Sequence, residues 1–114
     1  MRTHNVAVIP GDGIGTEVIG AGKKVLEALA KKSGDFAFNF EEFDWSSQRY
    51  LDQGQYIPEG GLEKLATFDA IYFGAVGSQQ VPDHISLWEL RLVICQGFDQ
   101  YANVRPARVL PGVN

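Results

Sequence analysis

The sequence has one cysteine and one methionine in 114 residues. A lone thiol, Cys95, excludes an internal disulfide and suits a reducing compartment, so the cytoplasm is the expected location. Long apolar runs are absent. The early run Val6–Ile9 falls far short of the ~20 residues of a membrane span or the ~7–15 of a signal-peptide core. No membrane partner is therefore expected. Positive charge is scarce: 10 lysines and arginines face 14 acids, for a net charge of −4. Without a basic stripe, nucleic acid is not an expected partner. The two histidines, His4 and His84, have no ligand spacing and no cysteine cluster beside them, which argues against zinc. Asp12, Asp44, Asp83 and Asp99 are too scattered to propose a metal site. No repeat or low-complexity tract occurs, which sets aside fibrous and disordered classes.

What is present is a globular composition, 45% hydrophobic and 21% charged, at a length that allows one domain at most. Glycine is in excess. The chain has 13, where an average usage of about 7% gives about eight. Excess glycine in a globular chain points to tight turns or to backbone lying close to a ligand.

Val6-Ala7-Val8-Ile9, closed by Pro10-Gly11, reads as a buried parallel strand. The loop Gly11-Asp12-Gly13-Ile14-Gly15 follows. Thr16 to Lys32 has helical periodicity, with Val18, Ile19, Val25, Leu26, Leu29 and Ala30 on one broad face and Ser33-Gly34 as the stop. Gly20 and Gly22 inside it each cost about 1 kcal/mol against alanine, which close packing on the sheet would explain. Phe36, Phe38 and Phe40 alternate as a second strand, ending or bulging at Glu41-Glu42. Asp44 to Tyr56 takes no assignment. Pro58 reads as the first residue of a short helix that buries Leu62, Leu65 and Ala66. Ala70 to Val76 is apolar throughout and reads as a strand covered on both faces. Ile85 to Ile94 reads as a helix with Leu87, Leu90 and Ile94 on one side. Tyr101 to Val109 reads as a last strand at a sheet edge because of Pro106. The tail Val109 to Asn114 supplies no helix to cover the sheet. Strands alternating with helices define an α/β layer fold with a mainly parallel sheet.

A strand, a glycine loop and a helix invite a dinucleotide-binding reading, but the spacing refuses it. Gly11, Gly13 and Gly15 give G-x-G-x-G, not G-x-G-x-x-G. The acid expected about 20 residues on is missing. Its candidates Glu41, Glu42 and Asp44 lie farther along. No Gly-Lys-Ser or Gly-Lys-Thr is present, so a Walker A loop fails too. Two readings of the loop stand: a strand-to-helix turn needing positive φ, or a backbone wall beside a ligand. Gly74-Ala75-Val76-Gly77 ends another strand where such crevices form, or serves helix–sheet packing alone. Arg91 sits in the mostly apolar stretch Leu87–Ile94, and Arg105 sits between Val104 and Pro106. Each is either solvated or ion-paired, or the two converge to clamp a small dicarboxylate through planar, bidentate forks. Cys95, after Val93-Ile94, reads as a buried structural thiol.

Four motifs carry a family resemblance. Ile9-Pro10-Gly11-Asp12-Gly13-Ile14-Gly15, Gly74-Ala75-Val76-Gly77, Leu90-Arg91 and Tyr101-Ala102-Asn103-Val104-Arg105-Pro106 occur in order across Val6–Gly112. They resemble the metal-dependent β-decarboxylating dehydrogenases, which include the isocitrate, isopropylmalate and tartrate (D-malate) enzymes. Phe43-Asp44-Trp45, Val81 to Ile85 and Cys95 to Gln100 look most like the tartrate branch. The resemblance implies the layered α/β fold of isopropylmalate dehydrogenase rather than a Rossmann fold. It also implies that residues 1–114 are the N-terminal part of such a domain, with the sheet incomplete.

The implied activity is oxidation of a small 2-hydroxy dicarboxylic acid such as tartrate or D-malate, with NAD and Mg²⁺ or Mn²⁺ as cofactors. Hydride transfer gives a β-keto acid, and decarboxylation then gives an enolate. By position, Arg91 and Arg105 would hold the substrate carboxylates. Leu87 and Trp88 would set substrate choice, because Trp88 fills room that isopropylmalate enzymes leave for a branched group. Ile14, Val76, Gly77, Ser78 and His84 would line the cofactor side. The implied metal ligands, catalytic acid/base residues and adenine-binding loop lie outside this segment, and the implied assembly is a homodimer. The chain alone is therefore expected to be inactive. A 3-isopropylmalate dehydrogenase and a non-catalytic binding fragment remain as alternatives. The Arg91–Arg105 interval, longer than the family's isopropylmalate pattern, weakens the former.

Overall fold

A computed structural model describes residues 1–113. Three parallel strands form one sheet in the order β2-β1-β3: β1 Arg2–Gly11, β2 Phe36–Glu42 and β3 Ala70–Ala75. Both pairings are parallel, so each return needs a crossover. α1 (Ile14–Ser33) makes the first. α2 (Ser47–Gln53) and α3 (Gly61–Leu65) make the second. After β3 the chain runs through α4 (Asp83–Ser86), a π-helical turn (Leu87–Arg91) and α5 (Leu92–Gly97).

The period-2 geometry of β1 divides the core into two layers. Val6 and Val8 point to one face, where Ile19 of α1, Phe38, Phe40 and Tyr72 meet them. Ala7 and Ile9 point to the other, into a cluster with Trp45, Tyr56, Leu65, Val81, Leu90 and Ile94. Register fixes the partners: Val8 lies beside Tyr72, and Ile9 beside Phe73. Ile9 and Leu90 are fully buried. Each contributes about 1.5–3 kcal/mol relative to exposure.

Several expectations change here. The α1 face is narrower than its apolar pattern. Ile19 is buried, whereas Ile14, Val18, Val25 and Leu29 form a stripe at least half exposed. Gly22 does pack closely, against Tyr72, but a Cβ at Gly20 would meet nothing within 4 Å. β2 ends at Glu42, and β3 ends at Ala75, one residue short of Val76. β3 is half-buried rather than covered on both faces, because only part of each layer packs over it.

The unassigned stretch after Asp44 contains α2. Ser46 caps it by accepting the Arg49 N–H at 3.3 Å, and Gly54 ends it in the left-handed region. The short helix expected at Pro58 begins instead at Gly61. Gly60 takes φ 77°, and Gly61 sits against Ile57 and Trp45, where a Cβ would collide. In that helix Leu65 is buried, Leu62 half-buried and Ala66 exposed.

The helix expected over Ile85–Ile94 runs longer, from Asp83 to Gly97, and contains the π turn. Such a turn takes one more residue than an α-turn and rotates what precedes it. Leu90 and Ile94 stay buried while Leu87 swings out, 37% exposed. Cys95 is half-buried. Tyr101–Val109 is not a strand. It is an exposed arm that pairs with no described strand, and Pro106 has no N–H to give a ladder. Asn114, the last residue of the expected uncovered tail, lies outside the described residues. The arm helps raise the radius of gyration to 15.7 Å, against about 13 Å for a compact chain of ~100 residues.

Candidate functional site

The carboxyl ends of β1 and β3 lie side by side, with Gly11 in register with Ala75. Their approach is closer than side chains allow. A Cβ on Gly11 would fall on the Ala75 carbonyl, and one on Gly15 or Gly74 would fall on the Pro10 carbonyl. Gly11 and Gly13 also take φ 76° and 51°. The strand-to-helix turn needing positive φ is thus present at Gly11 and Gly13, and Gly11, Gly15 and Gly74 also let the two strand ends and α1 approach backbone to backbone.

Asp12 sits at the centre of this meeting point. Its N–H donates to the Ala75 carbonyl at 2.7 Å. Its carboxylate accepts the Ser47 N–H at 2.7 Å, the Ser47 hydroxyl at 2.6 Å and the Gly77 N–H at 2.8 Å. The Ser47 hydroxyl has one proton and gives it to Asp12. The Tyr56 hydroxyl, 2.7 Å away, therefore donates to Ser47 Oγ. Ser47 opens α2, so Asp12 also satisfies one of that helix's unpaired N–H groups. Burial raises the Tyr56 phenol above its ordinary value of 10.0, with the nearby Asp12 charge adding to the rise and the Ser47 hydrogen bond opposing it.

A cleft of about 400 Å³ opens here, lined by Gly11, Asp12, Gly13, Ser47, Gly77 and Ser78 among others. A neighbouring hollow of about 370 Å³ shares Gly11 and Ser46 with it and runs toward Thr16 and Asp44. Crevices at the carboxyl ends of parallel strands are where α/β folds take ligands. The lining holds the Asp12 carboxylate, serine hydroxyls and the side-chain amides of Gln48 and Gln80, with no cation among its residues. Its neutral hydrogen-bonding groups suit an uncharged, polar portion of a ligand. Among the described residues, no three His, Cys, Asp or Glu side chains cluster to hold a metal ion.

The structure unites some of the sequence-derived residues and separates others. Gly77 is tied to Asp12, and Ser78 lines the cleft. Val76 is half-buried against the core, while Ile14 and His84 are exposed at the starts of α1 and α4. Leu87, Trp88 and Arg91 are exposed together on the π turn, Trp88 at 56%. Arg105 is exposed on the arm. Among the described residues neither arginine forms an ion pair, and no hydrogen bond joins the two. Asp12, Ser47 and Tyr56 are the members that sequence reasoning passed over. The available signal was Ser46-Ser47 bracketed by Gly54, a capped short helix that must begin beside something.

Residues 5–114 match the isocitrate/isopropylmalate dehydrogenase family. The chain is 64% identical over 113 residues to a probable tartrate dehydrogenase/decarboxylase of Agrobacterium vitis, covering 99% of this chain and 32% of that protein. It is 51% identical over 115 residues to the decarboxylating D-malate dehydrogenase of Escherichia coli K12, covering 99% of this chain and 32% of the relative. A crystal structure of a β-decarboxylating dehydrogenase from Thermococcus kodakarensis in its apo form aligns with a TM-score of 0.53 and 36% identity. That alignment covers 70% of this chain and 23% of the other. The chain thus spans about a third of the length of these curated relatives. With the parallel sheet, the glycine-lined strand ends and the matched residues all in agreement, the chain belongs to the isocitrate/isopropylmalate dehydrogenase family.

Proposed function

We propose that this chain forms one wall of the active site of an NAD-dependent, divalent-metal-dependent dehydrogenase/decarboxylase for tartrate or D-malate. The observation that carries the reading is the π turn. It exposes Arg91, which has no ion-pair partner among the described residues, and sets Leu87 and Trp88 on the same turn. A solvated guanidinium is a cheap group to dock against a carboxylate, because no existing salt bridge has to break. The high identity to tartrate and D-malate enzymes supports the substrate class.

In this reading Arg91, with Arg105 brought up on its arm, binds the carboxylates of a four-carbon hydroxy acid. Trp88 and Leu87 fill the space around C3 and exclude branched substituents. Gly77 and Ser78 border the cofactor, with Val76 behind them and Ile14 and His84 at its margins. When bound between Gly77, Ser78 and the rest of the enzyme, NAD would supply the hydride acceptor for the hydroxyl-bearing carbon of the substrate. The proton of that hydroxyl leaves to a base outside residues 1–114, and the metal ligands lie outside them as well. These 114 residues alone therefore bind without catalysing. The similarity to relatives three times as long supports that division. In such an enzyme the assembly is a homodimer.

The test is Arg91→Gln in the polypeptide as its gene encodes it. Losing a bidentate, charged contact of about 1.5–3 kcal/mol raises the KM for D-malate or tartrate roughly 10- to 100-fold. The KM for NAD stays within about twofold. An unchanged acid KM refutes the assignment of Arg91.

A further inference from the structure

We infer that Asp12 is the positioning residue of the cofactor wall, an inference that rests on the cofactor placement proposed above. Gly77 lies in the loop after β3 at φ 150° and is exposed. Among the described residues its N–H is held by Asp12 Oδ2 at 2.8 Å, while the next residue, Ser78, is bridged to buried Val81. The same carboxylate takes the Ser47 N–H and hydroxyl, and the Asp12 N–H is pinned to Ala75. One residue therefore ties the glycine loop, by its N–H to the end of β3 and by its carboxylate to the loop after β3 and the start of α2. These are the segments that line the cleft. The Tyr56 hydroxyl holds Ser47 from behind, inside the core.

All the groups around this carboxylate are donors, three from its partners with none from water required. A carboxylate accepts on both oxygens; an amide accepts on one and donates from the other. Asp12→Asn is nearly the same size, yet it places an NH₂ against either the Gly77 or the Ser47 N–H. One of the two amides must lose its acceptor. Asp12 touches no reacting atom in this account. It acts on the ligand through where Gly77 and Ser78 stand.

The experiment uses the gene-encoded polypeptide with two readouts. Amide hydrogen exchange by mass spectrometry or NMR reports Gly77 and Ser47 directly. Steady-state kinetics report KM for NAD, KM for the acid, and kcat. Asp12→Asn should speed exchange at Gly77 or Ser47 at least tenfold and raise the NAD KM about tenfold, with the acid KM changed less than threefold. Leu65→Ala, a core truncation away from the cleft lining, controls for lost stability and should leave the NAD KM unchanged. If Asp12→Asn leaves both exchange and NAD KM at wild-type values, the inference is overturned. Equal rises of NAD KM in Asp12→Asn and Leu65→Ala would overturn it as well. Wild-type protein that turns over no hydroxy acid, while Asp12→Asn still frees Gly77 or Ser47, refutes the proposed function and supports the tie itself. Should Asp12→Asn fail to fold, Ser47→Ala tests the same junction. It removes the hydroxyl bond but keeps both amide bonds, so Gly77 exchange should stay slow, and fast exchange there contradicts the assignment.

Discussion

Gly15→Ala and Gly20→Ala form a pair whose outcomes should have opposite signs. Both positions lie in α1 with helical backbone, so helix propensity favours alanine at each by about 1 kcal/mol. At Gly20 a Cβ meets nothing within 4 Å, and the propensity gain stands alone. At Gly15 the same Cβ would fall on the Pro10 carbonyl and lie 2.8 Å from the Ala75 nitrogen. Both obstacles are backbone and cannot swing aside as a side chain would. α1 must instead lift from the ends of β1 and β3, where Gly15 is buried. Forcing a methyl group into such a site costs about 1–3 kcal/mol and sometimes more. After the propensity gain is subtracted, Gly15→Ala should destabilise by up to about 2 kcal/mol, while Gly20→Ala stabilises by about 1. At about 4–8 °C per kcal/mol for a chain near this size, the two variants should differ in Tm by roughly 4–24 °C. Circular dichroism melts and urea titrations of both variants beside the wild type give the answer. A Gly15→Ala variant as stable as Gly20→Ala would refute the claim that the glycines of this loop are there for close backbone approach.

Further outcomes follow from the π turn and the buried phenol. Trp88→Val should raise kcat/KM for malates with a bulkier 3-substituent by roughly 10- to 200-fold relative to D-malate, the range that apolar pocket volume supplies; a substrate panel that shows no such gain removes Trp88 from specificity. The raised Tyr56 pKa makes its neutral form the one the fold prefers. Its contribution to stability is therefore complete below the ordinary value of 10.0 and declines as pH rises through the higher folded value. Denaturant melts between pH 9 and about 12 should show Tyr56→Phe losing less stability than wild type across that window. Equal slopes would show that Tyr56 ionises without cost to the fold.

Much of the fold was legible because burial and periodicity coincide at β1 and β2. Where they part, the sequence misleads for identifiable reasons. Val18, Val25 and Leu29 carry a core-like pattern, yet only the Ile19 side of α1 meets the sheet. Tyr101–Val109 has the residues of a strand but no neighbour among the described strands to pair with. The π turn leaves no pattern at all, since Leu87, Leu90 and Ile94 satisfy an ordinary helical spacing. The glycine loop was legible as a strand-to-helix turn, and Gly11 and Gly13 do take positive φ. Asp12 was not, because its partners Ser47 and Gly77 are 35 and 65 residues away and the contact exists only once the strand ends meet. Scattered acids in a sequence say little about which of them folding brings to amide donors.

The central claim is that this chain builds the substrate and cofactor wall of a tartrate or D-malate dehydrogenase. The most direct measurement is NADH formation at 340 nm by the gene-encoded polypeptide, with Mn²⁺ or Mg²⁺, against D-malate, tartrate and 3-isopropylmalate in parallel. The account predicts turnover of D-malate or tartrate with kcat/KM at least tenfold above that for 3-isopropylmalate. Preference for 3-isopropylmalate, or no reduction of NAD by any of the three, would contradict it.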